Sequence, residues 1–198
     1  AEAEYNYGQG GNLNTGALLP VNTSALLPGL THSGDFALPA ITYTQFFSKY
    51  FGVSLGKFPT FGSDDNEFAH GKYAKGDTQF MNLALNVNPV DFFTAPYTPL
   101  AAVAIILPTG DPNAANVEFG VFTTNGQANE AGFDKLNSDS VTLWTETRVR
   151  TGFFGKTGHQ LLGGLYSDKE FTSIDQRLSL DPASQLIEKK SGSWAAYY

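Results

Sequence analysis

Four side chains able to meet a polar ligand stand at alternate positions in the run Ser140 to Arg150 (S-V-T-L-W-T-E-T-R-V-R): Trp144, Glu146, Arg148 and Arg150. A carboxylate accepts hydrogen bonds and guanidiniums donate them, so this set can exchange bonds with hydroxyl groups as water leaves. An indole can lie against an apolar ring face, or equally pack under a loop. A spacing of two puts all four on one side of a β-strand, with Val141, Leu143, Thr145, Thr147 and Val149 on the other. The plainer alternative is a wetted strand face with a cross-strand ion pair. Glu118 could in principle join Glu146 as the acid and nucleophile of a glycoside hydrolase. That chemistry needs carboxyl groups about 5–9.5 Å apart in a cleft, and nothing in the sequence brings them there.

Other polar groups are less organised. Asp64, Asp65, Asn66 and Glu67 form an acidic run whose oxygens suit a hard cation, but the spacing is not that of an EF-hand. A loop folded into a pore mouth, bringing Asp65 inward, fits as well, and so does a solvated loop. Gln79 to Val87 alternates, with Asn82 and Asn86 opposite Met81, Leu83, Leu85 and Val87. His32, His70 and His159 have no matched partner set; His70 and His159 are read in loop and turn contexts. There is no H-E-x-x-H, no nucleophile elbow and no phosphate loop ahead of a helix. The histidines therefore read as structural, and the sequence predicts no catalytic residue, no metal site and no cofactor: this is not read as an enzyme.

The elements that would position these groups are strands. Charged residues make up only 16% of the 198, below the roughly 25% usual in soluble domains. Aromatics, 21 glycines and 10 prolines suit a β-rich chain with many turns. There is no cysteine, and the net charge of −7 argues against a nucleic-acid partner. No run of about 18 apolar residues offers a transmembrane helix, which leaves β-barrels open because their strands are short and only half apolar.

Alternating or β-rich runs fall at residues 1–7, 40–49, 51–57, 79–87, 98–107, 117–124, 140–150, 159–166 and 192–198. That is roughly nine strands, with no amphipathic helix. Runs 40–49 and 51–57 are close enough to form a hairpin around Tyr50. Pro108 to Pro112 (P-T-G-D-P) is a turn, and Thr151 to Gly155 is read as another. Long loops are expected at about 8–39, 58–78 and 167–191. Aromatics gather near strand ends, at Phe46, Phe47, Tyr50 and Phe51, at Phe92, Phe93 and Tyr97, and at Phe153 and Phe154. Interfacial girdles of membrane barrels have this pattern, though aromatics also favour strands generally. Both ends read as strand interiors, so the chain is expected to be a piece of a longer protein. A soluble sandwich would bury the apolar face of Ser140–Arg150; a membrane barrel would turn it to lipid. Period alone does not separate the two.

Three stretches resemble the carbohydrate-selective outer-membrane porins of the OprB family. One is Gly56-Lys57 followed by Asp64 to Gly71. The second is Gln79 to Ala84, running to Asn88-Pro89-Val90 and then Pro96-Tyr97-Thr98. The third is Val141 to Arg150, followed by Phe153-Phe154-Gly155 and Gly158 to Gly163. The resemblance covers most of residues 42–166 and fades outside them. It implies an all-β fold: part of a single antiparallel, up-and-down transmembrane β-barrel domain of porin type. The complete barrel would have about sixteen strands around an aqueous channel. It implies a Gram-negative outer-membrane location, mono- or oligosaccharides diffusing passively, and lipid around the wall. Glu146, Arg148, Arg150, Trp144, Asn82, Asn86, Asp65 and Glu118 would then line the pore. Oligomeric state stays open, a homo-oligomer included. The alternative from another class is a soluble or surface-attached β-rich glycan-binding protein.

Overall fold

Alternation with period two lets neighbouring strands pair in register and sorts side chains onto two faces. The computed structural model describes residues 1–6, 35–58, 98–126, 130–133, 136, 140–173 and 188–198. Within these, eight strands form one sheet: β1 (Glu2–Asn6), β2 (Asp35–Ser48), β3 (Phe51–Lys57), β4 (Leu100–Ile106), β5 (Ala115–Thr123), β6 (Val141–Phe153), β7 (Lys156–Thr172) and β8 (Lys189–Tyr197). Their spatial order is their sequence order, and every neighbouring pair is antiparallel.

The connections alternate. Short ones join β2 to β3 (Lys49 and Tyr50), β4 to β5 (residues 107–114) and β6 to β7 (Phe154 and Gly155), all at one end. Residues 7–34, 58–99, 124–140 and 173–188 make the connections at the other end. The 107–114 turn forms as its Pro, Gly and Asp content predicts. Gly110 takes φ 73° and donates its N–H to the Leu107 carbonyl, and Asp111 accepts from the Asn113 N–H at 2.9 Å.

The faces are sorted in the opposite sense to a soluble domain. On β6, Val141, Leu143 and Val149 are 42, 50 and 43% exposed, while Thr142 and Glu146 between them are 0 and 7% exposed. Their cross-strand partners extend the pattern. Leu143 stands in one row with Val121, Ala102, Leu55 and Tyr43 on one side, and with Tyr166 and Trp194 on the other. Buried positions on the inner face include Ser54, Thr142, Glu146 and Ser167, with Val103, Phe122 and Leu165 among them. A curled sheet explains this: side chains inside the curve shield one another, and those outside splay apart. The outer face still satisfies its few polar groups locally, since the Thr145 hydroxyl donates to the Glu118 carbonyl at 3.0 Å.

Several boundaries differ from those read in the sequence. β2 begins at Asp35, not 40, so residues 35–39, expected in the first long loop, are strand. Pro39 hid this start, because proline cannot donate to a ladder. The register with β1 slips between Glu2↔Ala40 and Glu4↔Ala37, so an irregularity at Leu38 and Pro39 accommodates it. β7 runs to Thr172, so residues 167–172 are strand and not loop. The polar string Ser167-Asp168-Lys169-Glu170 disguised this; a register shift between Ser167 and Glu170 absorbs it. Asp168 accepts the Val141 N–H at 2.6 Å, and Lys169 donates to the Thr124 carbonyl at 3.2 Å. The β6–β7 turn is only Phe154 and Gly155, so Thr151 to Phe153 belong to β6 and His159 lies within β7. The strand expected at 79–87, with Asn82 and Asn86, lies outside the described residues, as does Asp65; β3 and β4 pair directly with each other.

Candidate functional site

The inner face of β5 to β8 carries the polar groups. Register fixes their neighbours: Glu118 stands opposite Glu146, Asn116 opposite Arg148, and Gly120 opposite Trp144. Across β6 and β7, Arg148 faces Leu161, Arg150 faces His159, and Glu146 faces Gly163. Gly163 in turn faces Tyr197 of β8. Trp144, Glu146, Arg148 and Arg150 therefore share one face, as their spacing predicted, and the β5–β6 register brings Glu118 onto it.

Gly163 is what joins the ends of this patch. A Cβ there would run into the Tyr197 ring, so the missing side chain lets that ring lie across β7 toward β6. The Tyr197 hydroxyl donates to Glu146 Oε2 at 2.5 Å and accepts from Trp144 Nε1 at 3.2 Å. Trp144 is also 6.0 Å, centroid to centroid, from Phe122. The same device recurs at Gly52, where a Cβ would come within 2.8 Å of the Phe46 ring. Aromatic rings lying over glycines give this wall flat apolar surfaces beside its hydrogen-bonding groups.

Around Glu146 the charges are held by neighbours. Asn116 Nδ2 donates to Glu118 Oε1 at 2.6 Å. Arg148 Nη2 lies 3.5 Å from His159 Nδ1, and Arg150 Nη2 donates to the Thr157 hydroxyl at 3.4 Å. Glu118 and Glu146 do sit opposite each other, but side by side on one wall. A glycosidase needs its two carboxyl groups flanking the scissile bond from either side of a cleft. Among the described residues no cluster of three or more His, Cys, Asp or Glu groups converges on a metal position.

An up-and-down antiparallel sheet with an exposed apolar face and a sequestered polar one also describes a known architecture. A solved structure of Pseudomonas putida OprB at high pH matches with a TM-score of 0.58 and 18% identity, over 81% of this chain and 39% of that one. The chain has the fold of a porin-type barrel wall. It spans well under half the length of that structure. No protein-family model and no curated protein matches it.

Within that wall, sequence reasoning missed Tyr197, Asn116 and the siting of His159. Tyr197 lies 51 residues from Glu146, and only strand order makes them neighbours. The signal that could have found it is the glycine at 163: an inward position with no side chain, next to a strand ending in aromatics. Asn116 was within reach, since it shares the parity of Glu118. On the outer face, Phe47 and Phe51 stack with centroids 6.0 Å apart, and Phe153 and Phe154 meet edge-on at 5.3 Å. Both pairs sit at the short-turn end, whereas Tyr166 and Trp194 lie toward the other end. Phe92, Phe93 and Tyr97 fall outside the described residues.

Proposed function

We propose that this chain forms part of the wall of an outer-membrane channel through which sugars diffuse passively, selected by the polar and aromatic groups of the β5–β8 inner face. The observation that carries the reading is the polarity of the two faces: rows of Val, Leu, Phe and Tyr stand exposed outside, while Ser54, Thr142, Glu146 and Ser167 are buried inside beside Val103, Phe122 and Leu165. Leaving one Leu or Phe side chain in water forfeits about 1.5–3 kcal/mol, so an outer face of this kind calls for an apolar surrounding. Ten residues of β6 separate Leu143, in the row of Tyr166 and Trp194, from Phe153. At about 3.4 Å per residue and a tilt of about 35–45° they span roughly 24–28 Å, close to the apolar band of outer-membrane barrels. Short turns at one end and long connections at the other accord with periplasmic turns and extracellular loops.

Carbohydrate as the permeant is supported by the composition of the inner patch. Trp144 and Tyr197 offer ring faces, and Glu146, Glu118, Arg148 and Arg150 offer acceptors and donors for hydroxyls, exchanging bonds with a sugar as it sheds water. The sequence resemblance to carbohydrate-selective porins points the same way. No step of chemistry and no cofactor is required. The test is to insert the full-length protein into a planar bilayer. Ion conductance should appear and fall on adding sugar, and Trp144→Ala should weaken that block while conductance persists. A protein that stays monodisperse in plain buffer and conducts nothing would overturn the reading.

A further inference from the structure

The outer wall carries a feature that a smooth lipid-facing surface does not need. At the long-connection end, residues 130–133 and Leu136 of the β5–β6 connection fold back against the outside of the sheet. Between them and β2–β6 lies a groove of about 880 Å³, walled by Leu38, Tyr43, Leu55, Ala102, Val121 and Leu136 among others. Mostly apolar pockets of about 300–1,000 Å³ with few polar groups are the common form of a small-ligand site. Lys57 and Glu130 are the charged residues lining it. Lys57 is 2% exposed, and its ammonium donates to the Glu130 backbone carbonyl. Irregular backbone at membrane depth needs every polar group satisfied; Lys57 supplies one such bond and clamps the connection onto the wall.

We infer that this groove holds an acyl chain of the surrounding bilayer, an assignment that rests on the membrane reading above. The occupant follows from continuity. Tyr43, Leu55, Val121 and Val141 line the groove and also belong to the outward apolar rows, so whatever covers those rows enters here. Phe133 and Leu136, 70 and 58% exposed, extend the same apolar surface along the groove's outer lip. Lys57 thus shapes the site, and hydrocarbon fills it.

The experiment uses the full-length protein in vesicles that contain a phospholipid with a photoactivatable diazirine in its acyl chain. Irradiation and peptide mapping should place adducts in residues 51–58 and 130–141 at several-fold the level at Thr145, Leu162 or Val149. Ala102→Trp, which fills the groove from β4, should abolish the enrichment and leave conductance unchanged. Lys57→Met, which releases the clamp, should reduce it without emptying the outer strands of label. Uniform labelling of all outer strands in an inserted, conducting protein would overturn the groove assignment alone. Cross-linking of the groove to a second copy of the chain in place of lipid would overturn it in favour of a protein contact. A protein that acquires no label on any strand and needs no detergent would overturn the membrane reading as well.

Discussion

The two faces of β6 carry side chains from one continuous stretch, yet they obey opposite rules. Inside, Glu146 is held by a tyrosine hydroxyl from two strands away, and Thr142 is shut from solvent. Outside, Leu143 and Val149 touch little and remain about half exposed. A soluble β-sandwich buries its aliphatic face and wets its charged one. The outward row through Tyr43, Leu55, Ala102, Val121, Leu143, Tyr166 and Trp194 crosses β2 to β8, so the exposed apolar face belongs to the sheet and not to one strand. On the inner face, polar groups such as Thr142, Glu146 and Ser167 are buried beside Val103, Phe122 and Leu165, whereas the outer apolar rows have no such cover among the described residues.

The difference can be tested most severely by placing charge on the outer face. Phe119 is half exposed and sits between Ala104 and Thr145. Phe119→Arg should cost about 2–4 kcal/mol in urea unfolding from lipid vesicles. Ile105→Arg, opposite Glu118 on the inner face, should cost far less in the same assay. Equal costs would break the comparison. Next in size is Gly163→Ala. Its methyl group meets the Tyr197 ring and must displace it, which should cost about 1–3 kcal/mol by overpacking. Gly163→Ala combined with Tyr197→Ser should recover most of that stability; without recovery, the ring is not what the glycine accommodates.

Smaller effects sharpen the picture at the turn and on the inner face. Phe154 takes φ 49° and is 97% exposed. A left-handed conformation costs a bulky residue about 1–2 kcal/mol. Phe154→Asn suits this two-residue hairpin turn, so it should gain stability in detergent-free hairpin peptides. In vesicles the gain should shrink, because the edge-on contact of Phe154 with Phe153 is lost. The smallest change in stability is expected for Glu146→Gln, which keeps an acceptor for Tyr197. Its readout is the reversal potential in a salt gradient, which should move toward anion preference.

How much of this was legible in advance follows from range. Alternation between neighbours is local, so the faces of β3, β5 and β6 could be read from their own residues. The exposed sense of those faces could not, because period two is common to sandwiches and membrane barrels. Pairing at long separation was also out of reach. Tyr197 joins Glu146 only through the order β6–β7–β8, and Lys57 meets Glu130 across 73 residues. Polar strings misled where a bulge let a strand absorb them, as at Asp168 and Lys169. Proline did the same at Pro39. Asn82, Asn86 and Asp65 were drawn from alternation and acidity alone, and their place in the wall remains the proposal that the resemblance implied.

The Tyr197 ring fills the space that a side chain at position 163 would take, and so holds β8 inward against β6 with β7 as the pivot. Glycines on the inner face thereby set how sharply adjacent strands bend toward one another. Exchanging one hydrogen atom for a methyl group at such a point would open or tighten that bend while leaving each hydrogen-bonding residue in the sequence untouched.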